Sequence, residues 1–427
     1  VLLALLKLQP TLKNSAGSGI ILSFFLMLLY PARLDADESS PTVLDWKNSW
    51  SSPYSRGLGG SQTAHAISED ALFANPAALA RTRNPRSRKT VGDIEAPKMS
   101  LGGNSSLMSA LKGKGLQPSS WIKSFASLSA KDRNYLEIQA LPWLVLGERR
   151  GPTYFIGLPM RSTLTAEPST NDGISRRILT QTTVMPAMNA ALSSRSGAMS
   201  LGVTLRPNMR WNTQNELNIN DIVSSKTLVS DLKKSTYKTT STAIDLGLSI
   251  TAGDYWLPTF GLSILNLPTG CVDNFMNPAT GKTQSICGAK RTGNLKEDIP
   301  GTRLDPTEIR AGLSIIPRFR LAQYRINMKI SGDIFPLPIK SGNKNFGFTD
   351  VNINQLTHAG VELFTGNALS NRNPSIRAGM NETRSSLGVY LPLPHFSFEA
   401  TMYEAALFTN GKAGKERRYL IGLSSDW

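Results

Sequence analysis

The chain has 427 residues, a mean hydropathy of −0.18, 40% hydrophobic and 18% charged side chains, so a bundle of transmembrane helices is excluded. Glycine (35) and proline (25) are ordinary in number, which rules out a low-complexity chain. The formal charge of +16 would suit a nucleic-acid binder. The basic residues are dispersed through alternating segments, however, so contact with a polar lumen or with lipopolysaccharide is the better reading and no nucleic-acid partner is expected.

In chain order, the first feature is the apolar run Gly19 to Tyr30, preceded by Lys7 and Lys13 and followed by Pro31 to Ala36. It is too short to span a bilayer as a helix and fits the core of a signal peptide, expected over residues 1–36. Residues 37–97 do not alternate and are read as a linker and a lumen plug of short helices, ahead of a barrel over 98–427. From there on, period-two alternation dominates.

The clearest strand is 198–212. Met199, Leu201, Val203, Leu205, Pro207, Met209 and Trp211 share one face, and Ser200, Gly202, Thr204, Arg206, Asn208 and Arg210 the other. Leu136, Ile138, Ala140, Pro142 and Leu144 likewise oppose Glu137 and Gln139. Ile244 to Ile250, Ile309 to Ile315, Tyr324 to Ile330 and Phe396 to Met402 repeat the pattern. An oily face toward lipid and a polar face inward is what a membrane β-barrel requires. The fold expected is all-β, a transmembrane antiparallel β-barrel of about fourteen strands. Connections then alternate, the long ones (404–416, 334–353, 268–305, 213–239, 105–133) falling on the outer side. Cys271 and Cys287 fall in the longest of these, and in an exported protein they are expected to form a local disulfide. Arg206, Arg210, Arg310, Arg325 and Lys329 are candidates to line the lumen, where they could attract a carboxylate or pair with Glu137, Asp245, Glu362 and Glu399. The final run places Tyr419, Ile421, Leu423 and Trp427 on one face, and a terminal strand ending in an aromatic resembles the insertion signal of bacterial outer-membrane barrels.

Gly57-Leu58-Gly59-Gly60-Ser61 leads into an acidic and small-residue run that ends in Asn75-Pro76-Ala77. With Ala243 to Leu248, Gly261 to Leu267, His358 to Leu363, Ile376 to Asn381 and Leu387 to Val389, this resembles the FadL-like (long-chain fatty-acid transporter) superfamily and its PorV-like branch. The resemblance spans about 57–427 and implies a bacterial outer-membrane location, with Asn75, Pro76 and Ala77 in a hatch that plugs the lumen. Locally, Asn-Pro-Ala is also a helix start with proline in the first turn. Five basic residues among Arg81 to Lys89 read as a periplasmic linker or a docking patch for an anionic partner.

Hydrolase, metalloprotease, phosphate-loop and Cys-x-x-Cys motifs are all missing from the sequence, so no enzyme, cofactor or metal is expected, and His358 reads as an ordinary lumenal histidine. Two functions follow as expectations. One is passive uptake of hydrophobic or amphipathic small molecules. The other is a PorV-like scaffold whose outer loops, 213–239 and 268–305, dock a protein partner of a secretion or envelope complex.

Overall fold

The computed structural model describes residues 50–66, 70–81, 91–104, 134–147, 152–168, 175–194, 196–218, 235–252, 256–276, 283–294, 304–321, 324–337, 357–365, 373–381, 384–393, 396–409 and 412–425. Residues 1–36, expected as a signal peptide, the basic run after Arg81, His395 and Trp427 lie outside these. Twenty strand segments form one antiparallel sheet. They are β1 (Val91–Asn104), β2 (Asn134–Gly147), β3 (Thr153–Gly157), β4 (Met160–Pro168), β5 (Ser175–Val184), β6 (Ala187–Ser193), β7 (Met199–Asn218), β8 (Thr236–Thr251), β9 (Thr259–Leu265) and β10 (Gly270–Met276). The second half comprises β11 (Thr283–Gly293), β12 (Leu304–Pro306), β13 (Glu308–Ile315), β14 (Arg318–Leu321), β15 (Tyr324–Leu337), β16 (Thr357–Thr365), β17 (Ser375–Asn381), β18 (Arg384–Pro392), β19 (Phe396–Thr409) and β20 (Lys412–Ser425).

Joined across their breaks, these segments make a closed wall of fourteen strands, as the alternation predicts. Segments β3 and β4 are one wall strand, β5 and β6 another, and β12 to β14 a third. The wall closes where β1 meets β20, from Met99 opposite Leu423 to Asn104 opposite Arg418. Closure pairs the first and last strands with each other, which is what a wall crossing hydrocarbon would require. Exposure follows the alternation: Met199 and Leu201 are 44% and 50% exposed outside, while Ser200 between them is 1% exposed. Leu205, Ile244, Leu313, Leu363, Ile376, Leu387 and Ile421 continue the outward apolar belt around the wall.

Three departures from the sequence reading have local causes. Segment β1 starts at Val91, not 98, and shifts register between Glu95 and Lys98. Pro97 has no N–H for the ladder, so the alternation is broken there and the strand continues through a bulge. The stretch 404–416, expected as a loop, instead prolongs the β19–β20 ribbon up to Thr409 opposite Lys412. The stretch 268–305 is not plain loop either. It carries the β10–β11 hairpin, in which Cys271 sits opposite Cys287 and the two are disulfide-bonded. The end of β11 (Arg291–Gly293) then pairs with β8 above the place where β9 leaves it. Asn266, at positive φ (52°), makes that exit: its N–H donates to Asp245 Oδ1 (2.7 Å) and its amide to Pro306 O (3.1 Å).

A line of prolines crosses the first five wall strands. The β1 bulge at Pro97 faces Pro142 of β2, Leu158 N–H donates to Pro142 O (3.0 Å) and Met185 N–H to Pro159 O (2.9 Å). Pro186 and Pro207 follow, between the pairs Val184–Met209 and Met188–Leu205. Each proline removes a donor from the ladder, so the wall's hydrogen bonding is interrupted along this line.

Candidate functional site

Residues 50–66 and 70–81 lie on the inner face of the wall and run round it. Ser52 caps the helix Pro53–Gly57, accepting from Ser55 N–H (3.0 Å), with Pro53 in the first turn. Ser52 also donates its hydroxyl to Asp70 Oδ2 (2.5 Å), and Trp50 stacks on Phe73 at 5.5 Å, so the start of this arc meets the stretch 70–73. Gly59 and Gly60, both at positive φ, turn the chain after the helix. Gln62 and Thr63 N–H groups both donate to Asp333 Oδ2 (2.6 Å each).

Asn75, Pro76 and Ala77 act as local cap and wall tie together. Asn75 Oδ1 accepts from Ala77 N–H (3.1 Å) at the start of the 3₁₀ helix Pro76–Arg81. Its amide donates to Thr63 O (2.7 Å) and to Leu248 O of β8 (3.0 Å), and Pro76 O accepts from Asn189 (3.3 Å). The wall under this segment is Gly202 and Gly247, which face each other across β7–β8. A Cβ on Gly202 would overlap the Pro76 carbonyl, and one on Gly247 would overlap Asn75 and the Ala77 nitrogen. Backbone thus lies directly on backbone.

The lumen has two chemically distinct sides. One is held by ion pairs. Glu137 of β2 is fully buried and takes a bidentate Arg56 (2.8 Å twice) and Arg161 (2.6 Å). Glu362 takes Lys329 (2.8 Å), Arg377 (3.0 Å) and the Tyr54 hydroxyl (2.6 Å), and Arg377 goes on to Glu399 (3.1 Å). Arg206 pairs with Asp245 (3.0 Å), Arg210 with Asp305 (2.8 Å) and Arg310 with Glu308 (2.5 Å). Asp305 also takes Arg291 through Nε (3.0 Å). Of the lumenal candidates, then, Arg206, Arg210, Arg310 and Lys329 face inward and each meets a carboxylate. Arg325, the second residue of β15, lies opposite Arg320 of β14, and its side chain is outside the described residues.

The other side is apolar. Leu141 and Trp143 of β2, Phe155 of β3 and Met185, just beyond β5, pack against Leu72, Phe73, Ala78 and Leu79 of the inner arc, all buried. Trp143 stacks on Phe155 at 5.1 Å, and the Arg206 guanidinium lies 5.5 Å from the Phe73 ring. Along β2 the inward face changes from Glu137 and Gln139 to Leu141 and Trp143 within four residues. Alternation ceases there because both faces are oily: the run Leu141-Pro142-Trp143-Leu144-Val145-Leu146 is the sequence signal for this side, and period-two reading passes over it.

His358 is not a solvated lumenal histidine. It is buried, stacks on Phe335 at 3.7 Å and places Nδ1 3.0 Å from Gly59 O, because the arc covers it. Tyr419, Ile421 and Leu423 lie on the outward face of β20, opposite β1, with Ile421 and Leu423 exposed.

No family model matches the chain, and no curated protein matches it in sequence. Solved structures do align with it along most of its length. A TodX monoaromatic hydrocarbon channel carrying the deltaS2S3 mutation is 12% identical, with a TM-score of 0.47 over 88% of this chain and 99% of that one. The Pseudomonas putida toluene transporter TodX gives 11% identity and 0.44 over 87% and 97%. The CymD monoaromatic hydrocarbon channel gives 12% and 0.40 over 88% and 97%.

Proposed function

We propose that the protein is a passive channel of the bacterial outer membrane for hydrophobic or amphipathic small molecules, with residues 50–81 as its plug. The supporting observation is the apolar side of the lumen formed by Leu141, Trp143, Phe155 and Met185. Barrel lumens are ordinarily polar. Such an oily strip, covered by Leu72, Phe73, Ala78 and Leu79 of the plug, is surface on which a lipophilic solute that displaced them would stay out of water, at roughly 25 cal/mol for each Å² kept dry. The same strip lies beside the proline line, where the ladder lacks donors and a solute's way to the membrane would meet fewer wall hydrogen bonds. Pairing of Arg206, Arg210, Arg310 and Lys329 with carboxylates favours neutral solutes over anionic ones. Asn75, Pro76 and Ala77 are assigned the anchoring of the plug to β7 and β8.

Proteoliposomes loaded with a toluene-sensing reporter test this. The barrel should speed toluene entry over protein-free vesicles, and Trp143→Glu or Phe155→Asp should remove most of that gain while heat-modifiable gel mobility shows the barrel intact. Equal entry with and without protein, or an undiminished rate in both variants, sinks the proposal.

A further inference from the structure

The ladder sets a row of inward-facing residues level with one another from β2 to β8. Trp143 pairs with Gly157 and Ala140 with Met160, which puts Leu141 beside Pro159. Val184 pairs with Met209 and Met188 with Leu205, the same register on both sides of the β5–β6 break, which puts Met185 beside Asn208. Met185 N–H donates to Pro159 O, and Asn208 pairs with Ser241 of β8. The row therefore reads Leu141, Pro159, Met185, Asn208 and Ser241, all buried. Asn208 is its first polar member, at the edge of the oily strip.

Asn208 is 1% exposed, and among the described residues neither its amide oxygen nor its amide nitrogen has a hydrogen-bond partner. Its neighbours are engaged elsewhere. Ser241 donates to Asp305, and the next inward residues along β7, Arg206 and Arg210, pair with Asp245 and Asp305. A buried amide without partners works against folding, so one that persists in a native structure marks a place where something else is to bond. Sites for small apolar ligands combine an oily lining with a few polar groups that fix orientation. Leu141, Met185 and Asn208 have that composition. Arg206 Nη1 lies 3.9 Å from Met185 Sδ, but its charge is already matched by Asp245, so the group left to a solute here is a neutral amide.

We infer that Asn208 selects, among solutes of the oily strip, uncharged molecules that carry a hydroxyl, as an aromatic alcohol does. The ring lies against Leu141 and Met185, and the hydroxyl, donor and acceptor at once, bonds the amide. A hydrocarbon in the same place leaves the amide unpaired, so the site disfavours it relative to an alcohol of equal size. The inference rests on the channel reading above and deepens it by naming the solute class.

Equilibrium dialysis of the detergent-solubilised full chain against benzyl alcohol and against ethylbenzene, its isostere, tests this with protein-free micelles subtracted. Asn208→Leu should weaken benzyl alcohol by about fivefold. It should tighten ethylbenzene, which then meets a side chain of its own kind. The urea midpoint of the variant should equal or exceed that of the wild type, because the amide it removes has no internal bond to lose. Equal shifts for the two solutes, unchanged affinity for benzyl alcohol, or a lowered midpoint would overturn the inference. Ethylbenzene binding with no effect of the substitution on the alcohol overturns it and leaves the channel reading standing. If the wild type binds neither solute, both readings fail together.

Discussion

Glu137 is a buried carboxylate that takes two cations, as Glu362 and Asp305 also do: Arg56 and Arg161 lie on its oxygens, with the Tyr135 hydroxyl at 2.8 Å. Removing one partner of a buried pair strands the other charge at a cost of about 3–5 kcal/mol. Glu137→Gln is therefore expected to lower the urea midpoint of the folded barrel markedly, whereas Lys415→Gln at the surface should leave it unchanged. Gly202 makes a steric prediction instead. Gly202→Val pushes side-chain carbon into the Pro76 carbonyl, and overpacking of this kind costs roughly 1–3 kcal/mol. Limited proteolysis should then cut the arc 50–81 in the variant and spare it in the wild type. Alternation in the sequence foretells which way Arg206 or Glu137 points. It cannot foretell that Arg210 meets Asp305, because Asp305 falls in a stretch whose strand pairing depends on the far register of β8 and β11.

Strands legible in the sequence are those with lipid on one side and polar groups on the other, such as β7. Those that leave the membrane lose that contrast. The β10–β11 hairpin and the upper β19–β20 ribbon are held by backbone pairing and mix apolar and polar residues without a period of two, as in Ala405-Ala406-Leu407-Phe408, so nothing periodic announces them. Hairpin and wall should also separate experimentally. In Cys271→Ser/Cys287→Ser, amide exchange is expected to rise across 270–288 and stay unchanged in β15 to β18, read by mass spectrometry of peptic fragments. Exchange spreading to β15–β18 would show that the hairpin supports the wall as a whole.

For the whole molecule, the closed barrel could be anticipated from alternation and loop lengths, and the existence of a non-alternating segment before it. How that segment lies was not legible: contacts such as Asn75 to Leu248 join residues with no shared period, and small wall residues carry no sign of what rests on them. Without residues 50–81 the wall would enclose an ion-lined passage. That deletion, if it inserts, should raise single-channel conductance in planar bilayers far above the wild type. Arg56 has a further meaning at the seam of the wall. Its guanidinium reaches Glu137 on β2 and the Tyr403 hydroxyl on β19, the strands that flank the closing pair β1 and β20. The seam is thereby braced from inside as well as by its own ladder, so the pairing that shuts the wall and the contacts that seat residues 50–66 reinforce each other.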